Sequence, residues 1–391
     1  MRPFEISDGV FWVGALDPQL RVFDIIMKAD NGTTYNSFLV KGSQKTALVD
    51  TVKARFEEDH LANLKSLIDL NALDYIILNH TEPDHSGALP RLLKEAKTAK
   101  VVISKTADHF LHQLLGRDIE PIKVGTGDSL DLGGRRLSFI SAPFLHWPDT
   151  MLTYLSDGIL FPCDFLGCHY CDDRMFNDAV DDFSNAFRYY FDGIFRPFKQ
   201  YALQAIEKIE SLPITMIAPS HGPILRSDPW SYVAKYKEWS QLPHAEGKSL
   251  LVFYASAYGN TKRMAQEIAK TASATGIKVT TLDVTSLDMS EVLSQVEAAD
   301  GIAVGSPTIN GDAVKPIWDF LSSLATLRVR GKAAAAFGSY AWSGEAPDLI
   351  FERLKGLKFK MIEPPLKASL IPSEEQLQKC CELGLKIAEA L

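Results

Sequence analysis

The 391-residue chain predicts a two-domain α/β protein, and three observations carry that reading. The first half is rich in β-prone runs separated by Asp, Asn and Gly turn signals, with few helices. The second half alternates strand and helix strictly. Between them, Gln241–Lys248 (QLPHAEGK) is polar and holds Pro and Gly, the composition of a short linker. The domains are therefore expected at 1–246 and 249–391, each long enough to bury its own core.

In the first half, strands are expected at Val10–Leu16, Val22–Met27, Thr34–Val40 and Lys45–Val49. A helix follows at Phe56–Ile68, where apolar residues recur at roughly helical spacing. Asp74–Leu78 is a short apolar strand, and Val101–Ser104, Arg136–Ser141, Met151–Leu155, Ile159–Phe161 and Met216–Ala218 follow it. In the second half, strands at Leu250–Ala255, Lys278–Asp283, Gly301–Val304, Ala333–Phe337 and Phe359–Ile362 alternate with helices at Thr261–Ala274, Met289–Val296, Val314–Leu324, Pro347–Leu354 and Glu374–Leu391. Such a succession of strand–helix units fits a doubly wound parallel sheet, because parallel neighbours need a crossover that a helix supplies.

Composition narrows the class. Hydrophobic residues make up 46% and charged residues 23%, the balance of an ordinary globular protein. A net charge of −8 argues against nucleic acid or an anionic membrane as the main partner. The opening segment MRPFEISDGVFWVG lacks the apolar core and small-residue cleavage site of a secretory signal, and no apolar run is long enough to cross a bilayer. A cytoplasmic location is expected. The five cysteines, Cys163, Cys168, Cys171, Cys380 and Cys381, are too sparse and irregular for a disulfide framework. Cys168 and Cys171 form one CxxC around His169, with no second pair to complete a zinc or rubredoxin-type site, and read as ordinary free thiols.

The strongest chemical signal is His80-x-Glu82-x-Asp84-His85, directly after the strand Asp74–Leu78. Four side chains able to ligate metal lie within six residues. A loop at a strand end can turn all of them toward one point, and Pro83 argues against helix continuation. Taken alone this could be a polar surface turn. Three later segments repeat the placement just beyond a β-run: His146 in His146-Trp147-Pro148-Asp149-Thr150, Asp164 after Ile159–Phe161, and His221 after Met216–Ala218. One His or Asp at a strand end is usually structural; the ordered series is far less easily accidental.

A second site is expected in the other half. Ser256-Ala257-Tyr258-Gly259-Asn260-Thr261 joins a strand to a helix, where hydroxyls and backbone N–H groups at the helix N-terminus can cradle a phosphate monoester. It lacks the Gly-Lys-Ser/Thr of a Walker loop, and an ordinary helix cap from Asn260 or Thr261 is the plain alternative. Two more loops follow strands: Gly305 leading Ser306-Pro307-Thr308-Ile309-Asn310-Gly311, and Gly338 leading Ser339-Tyr340-Ala341-Trp342-Ser343-Gly344. Both fall at carboxyl ends of parallel strands, where open α/β sheets bind ligands. Tyr258, Tyr340 and Trp342 offer flat faces to a ring system.

The ordered series HxExDH, His, Asp, His resembles the metallo-β-lactamase superfamily, whose usual first motif is HxHxDH. That resemblance implies an αββα sandwich for the first domain. Glu82 stands where the hydrolases carry a second His, adding a hard anionic ligand that suits iron better than zinc. With a second domain whose 256–261 loop resembles the flavodoxin phosphate loop, the whole chain resembles the flavodiiron proteins, or type A flavoproteins. The family pattern implies one iron on His80, Glu82 and His146, another on Asp84, His85 and His221, and Asp164 bridging them. In some relatives the His matching His85 turns away and water replaces it. His169 and Trp147 are expected beside the site rather than on the metal. Many relatives carry Gly at the position of Ala341.

The resemblance implies FMN on the 256–261, 306–311 and 339–344 loops, and reduction of dioxygen to water or of nitric oxide to nitrous oxide. It also implies a head-to-tail homodimer, or a dimer of dimers, with Trp147 and Trp342 candidates for the junction. The paired CxxC knuckles of a rubredoxin-like domain are missing from the sequence, so an outside donor is expected, either rubredoxin or a reduced deazaflavin coenzyme; Cys163–Cys171 (CDFLGCHYC) is similar to relatives of the latter kind. A zinc hydrolase with a fused flavodoxin module, or a non-catalytic electron-transfer protein, are the rival readings.

Overall fold

The computed structural model describes residues 1–241, 247–287 and 289–391. Most of the expected linker and Asp288 lie outside the described residues. The chain divides into two compact units, Met1–Gln241 and Leu242–Leu391.

The first unit is an αββα sandwich. One sheet runs in the order Phe4–Ser7, Val10–Trp12, Phe38–Lys41, Thr46–Val49, Tyr75–Ile77, Lys100–Ser104, Ile122–Val124. The other runs Ser129–Asp131, Arg136–Ser141, Met151–Leu155, Ile159–Phe161, Met216–Ile217. Strand alternation decides which side chains meet. Phe38, Val40, Tyr75 and Ile77 face inward and join Leu137, Phe139, Phe161 and Ala218 between the sheets. Leu39, Leu48, Ile76 and Leu78 face outward, under the helices Glu57–Lys65 and Asp108–Leu115. The second sheet buries Leu152, Tyr154 and Leu160 beneath Ser184–Tyr190, Lys199–Ile209 and Pro229–Ser240. The metal-ligating segments therefore leave the sheets from strands covered on both faces.

Three expected elements are corrected. Val22–Met27 is not one strand: Val22–Phe23 and Met27–Lys28 pair as a small hairpin, with Asp24 and Ile25 in the left-handed region at its turn. Val10–Leu16 divides between two sheets at Gly14, where any Cβ would stand 2.1 Å from the Tyr35 carbonyl oxygen. The metal motif is not all loop. Pro83–Ser86 forms a helical turn with Pro83 in its first position, where a missing N–H costs nothing.

The second unit is a doubly wound parallel sheet ordered Lys278–Asp283, Ser249–Tyr254, Gly301–Gly305, Ala333–Tyr340, then a broken edge. Lys360–Met361 and Leu366–Ser369 each pair with Ala333–Tyr340, separated by Pro364 and Pro365, which have no N–H for the ladder. The expected fifth strand is thus only the first of two pieces. On one face Asn260–Ser273 and Glu374–Ala390 pack closely through Met264, Ile268, Leu383 and Ile387. Gly384 makes this possible, since a Cβ there would lie 2.6 Å from the Ile268 carbonyl oxygen.

Candidate metal centre and cofactor loops

Burial and hydrogen bonding fix the strand ends before any ligand is considered. Asp50 is buried and accepts from the Asn79 N–H (2.8 Å) and, more loosely, from the Asn79 amide (3.3 Å) and the Ser220 hydroxyl (3.4 Å). The Asn79 amide also donates to the Phe161 carbonyl. One carboxylate thereby ties together the segments that lead into His80, Asp164 and His221. Burial pushes the Asp50 carboxyl up to about 6.

The seven expected side chains converge. His80 Nε2 lies 2.9 Å from Asp164 Oδ2 and 3.6 Å from Glu82 Oε2, and His146 Nε2 lies 3.2 Å from Glu82 Oε2 and 3.6 Å from Asp164 Oδ2. On the other side, His221 Nε2 is 3.0 Å from Asp84 Oδ2 and 3.4 Å from Asp164 Oδ1. His85 Nε2 is 3.3 Å from Asp84 Oδ1 and 3.2 Å from Asp164 Oδ1, so His85 turns inward. Asp164 presents Oδ2 to one donor set and Oδ1 to the other. The ligand atoms of His80, Glu82, His146 and Asp164 fall within 4.8 Å of one another, as do those of Asp84, His85 and His221.

This donor set fits two metal ions. Three carboxylates among four imidazoles demand compensating positive charge in a dry site. Asp84 Oδ1 and His85 Nε2 are buried and make no hydrogen bond among the described residues. Without cations, protons take their place. Burial alone would push the His85 imidazole down, but Asp84 and Asp164 hold it well above its ordinary value. Burial would likewise raise Asp164, and His85 and His80 hold it well below.

Neighbouring groups orient the ligands. His221 Nδ1–H donates to the Thr34 carbonyl, which leaves Nε2 directed at the carboxylates. Tyr190 donates its hydroxyl to Asp164 Oδ1 at 3.0 Å. His169 touches no carboxylate of the cluster: its Nδ1 meets the Thr33 hydroxyl, its ring stacks on Phe23 at 4.1 Å, and it lies edge-on to His221. Trp147 is half-buried between His80 and Phe110. Phe23, Asp24, Met27, Ile194 and Phe198 help line a cavity of about 200 Å³ over the centre. Burial, with Glu82 and Asp84 nearby, pushes the Asp24 carboxyl up to about 6. Tyr190, Thr34 and Asp24 were not anticipated, because none belongs to a local motif.

In the second unit the three expected loops all leave the carboxyl ends of parallel strands. Gly259, not Asn260 or Thr261, caps the helix Asn260–Ser273, at φ +82°. The Ser256 hydroxyl accepts from the Lys262 N–H. Thr261 and Ser339 share a hydroxyl hydrogen bond of 2.8 Å, linking the first loop to the third. In the second loop Thr308–Ile309 pairs with Asp312–Ala313 around Asn310-Gly311, both at positive φ, as a tight hairpin requires. Gly338 cannot carry a Cβ, which would fall 2.1 Å from the Ser306 carbonyl oxygen. Tyr258 is 91% and Trp342 79% exposed, while Tyr340 is half-buried. Large aromatics left this open beside a helix N-terminus are poor core residues and fit a planar ligand bearing a phosphate.

Dinuclear donor set and flavin-type loops in one chain define an oxidoreductase that joins a metal domain to a flavin domain. The family model described as ODP family beta lactamase matches residues 33–222, and the Flavodoxin model matches residues 252–384. The chain is 47% identical to the type A flavoprotein fprA of Rhodobacter capsulatus, over 100% of this chain and 92% of that protein. It is 38% identical to a nitric oxide reductase of Moorella thermoacetica, over 99% of this chain and 98% of that one. The solved rubredoxin oxygen:oxidoreductase of Desulfovibrio gigas matches it with a TM-score of 0.74 at 31% identity, covering 100% of this chain and 98% of that one. The chain belongs to the type A flavoproteins, the flavodiiron family. Among the described residues, no helix is long and apolar enough to cross a membrane.

Proposed function

We propose that this chain reduces dioxygen to water, or nitric oxide to nitrous oxide, at two irons, with electrons delivered through FMN. One iron is assigned to His80, Glu82 and His146, the other to Asp84, His85 and His221, with Asp164 shared. The observation that carries the reading is Asp164, whose two oxygens face the two donor sets separately. Glu82 adds the hard ligand that favours iron over zinc. When bound, the irons and a two-electron flavin together supply up to four electrons at one place, enough to finish dioxygen reduction.

The chain's own residues prepare that chemistry. Apolar walls from Phe23, Met27 and Phe198 suit a small neutral gas and limit bulk water. Tyr190 steadies Asp164 and offers a hydroxyl at the cavity wall. FMN is assigned to Ser256–Thr261, Ser306–Gly311 and Ser339–Gly344, its phosphate at the first of these.

The electron donor is assigned to rubredoxin or a reduced deazaflavin coenzyme. Rubredoxin is supported by the Desulfovibrio gigas relative's name, and a reduced deazaflavin coenzyme by the resemblance of Cys163–Cys171. The assembly is assigned as a head-to-tail homodimer or dimer of dimers; exposed Tyr258 and Trp342 in one unit, and Ile25, Ile26 and Phe144 in the other, supply apolar surface for it. Anaerobic stopped-flow of the fully reduced full-length protein tests the reaction. Rapid reoxidation of both flavin and iron by dioxygen or nitric oxide is expected. Failure of the iron-loaded protein with both gases, or failure to hold iron when loaded in the absence of zinc, overturns it.

A further inference from the structure

The ligand atoms at the metal centre admit a second grouping, which takes members from both donor sets. Cys163 directly precedes Asp164, and its Sγ lies 3.9 Å from Asp164 Oδ2. The sulfur, one nitrogen each from His80 and His85, and one Asp164 oxygen lie within 4.8 Å of one another, and all four residues are buried. His85 Nε2 is buried and makes no hydrogen bond among the described residues, although it lies 3.2 Å from Asp164 Oδ1, a pairing that a shared cation would replace. Neither of the donor sets assigned to iron uses the thiol.

The chemistry of this grouping differs from that of the iron pair. Two imidazoles, one sulfur and one carboxylate are a four-ligand set of the kind zinc takes in tetrahedral sites. Soft thiolate selects zinc and other thiophilic ions, whereas carboxylate-rich sets favour harder ions. Zinc–sulfur bonds of ~2.3 Å and zinc–nitrogen or zinc–oxygen bonds of ~2.0–2.2 Å put tetrahedral ligand atoms roughly 3.3–3.7 Å apart. The sulfur–oxygen separation is already near that range, and modest closure of the cluster completes it.

We propose that His80, His85, Cys163 and Asp164 form a site for a single thiophilic divalent cation, zinc foremost, whose occupation excludes the iron pair. The exclusion rests on the assignment of His80, His85 and Asp164 to iron. On binding, the thiol bond to hydrogen breaks, the proton passes to solvent, and the sulfur lone pair takes the ion, with no change of oxidation state. The centre then has two mutually exclusive occupancies. The ratio of zinc to iron at loading decides how much of the protein can be active.

Cobalt(II) is the probe, because it takes the same geometry as zinc and shows an intense near-ultraviolet charge-transfer band only when thiolate binds it. Full-length chain stripped of metal is titrated with cobalt(II) alone, then with zinc. The expected result is a thiolate band in wild type that zinc abolishes, its loss in Cys163→Ser, and at least tenfold weaker zinc binding by that variant. X-ray absorption at the zinc edge of the wild-type protein needs no variant and should show one sulfur neighbour. Absence of that neighbour, absence of the band in wild type, or its persistence in Cys163→Ser each overturns the proposal. Iron loading separates the two readings: Cys163→Ser should still take up two irons if the dinuclear assignment holds. A wild-type chain that fails to take up two irons defeats that assignment, and with it the exclusion, while leaving the sulfur measurement to judge the zinc site.

Discussion

One oxygen of Asp149, Oδ2, accepts both the backbone N–H (2.8 Å) and the hydroxyl (2.7 Å) of Thr81. Thr81 sits between His80 and Glu82, and Asp149 lies three residues after His146. A single buried carboxylate thus clamps together the two loops that carry one complete donor set. The neighbouring Met151 N–H, on the Asn79 carbonyl, is a second stitch between them.

Asp149→Ala should therefore weaken one half of the metal centre selectively. Hydrogen bonds to charged groups are worth about 1.5–3 kcal/mol, and about 1.4 kcal/mol is tenfold in affinity. Iron content should fall toward one per chain while FMN content holds. Asp149→Asn keeps an acceptor oxygen and should retain both irons. Equal iron content in the Ala variant and wild type would dismiss the clamp.

Tyr190→Phe removes the hydroxyl that Asp164 Oδ1 accepts, leaving a buried carboxylate short of a donor. The metal-free chain should lose about 1–3 kcal/mol of stability in urea. Both irons should still load, since Tyr190 is not assigned as a ligand. An unchanged denaturation midpoint would show the bond to be without net worth.

His60 gives a pH dependence with a definite sign. Its ring is buried, Nε2 meets the Ser37 hydroxyl, and burial pushes the imidazole down to about 3. Unfolded, it returns to about 6.5. Its stabilising contribution is present above about 6.5 and is lost as pH falls toward 3, because the unfolded chain takes up a proton that the folded one refuses. The local slope approaches about 1.4 kcal/mol per pH unit. His60→Leu should lack this component, so the stability difference between the two proteins should change steadily between pH 6.5 and 4.5. Parallel pH profiles would refute it.

Gly259→Ala puts a side chain on a residue at φ +82°, although no atom stands within 4 Å of the new methyl. The cost is backbone strain of about 1–2 kcal/mol rather than a clash. It falls on the loop assigned to the FMN phosphate. FMN binding, read by flavin fluorescence, should weaken about tenfold with iron content unchanged. Undiminished retention would move the phosphate elsewhere.

The candidate ligands were legible because each lies within a few residues of the end of an apolar strand, and strand ends are marked locally by runs such as Ile159–Phe161 and Tyr75–Ile77. The supporting residues were not. Tyr190 is brought to Asp164 by the packing of a helix, and no local pattern announces that contact. Phe23 and Met27 face each other across a turn, but five apolar residues in six read as one strand. The helix Lys199–Ile209 was also not anticipated, although Ala202, Ala205, Ile206 and Ile209 recur at helical spacing in the sequence. In the second unit, strand–helix alternation was enough for the sheet. Pro364 and Pro365 were the readable warning that its last strand is broken.

Mössbauer spectroscopy of the full-length chain, expressed with iron-57 and paired with metal and flavin analysis, tests the central claim most directly. The account predicts two irons and one FMN per chain, with the irons magnetically coupled through a shared carboxylate. Isolated, uncoupled iron at one atom per chain after loading with iron alone would contradict it.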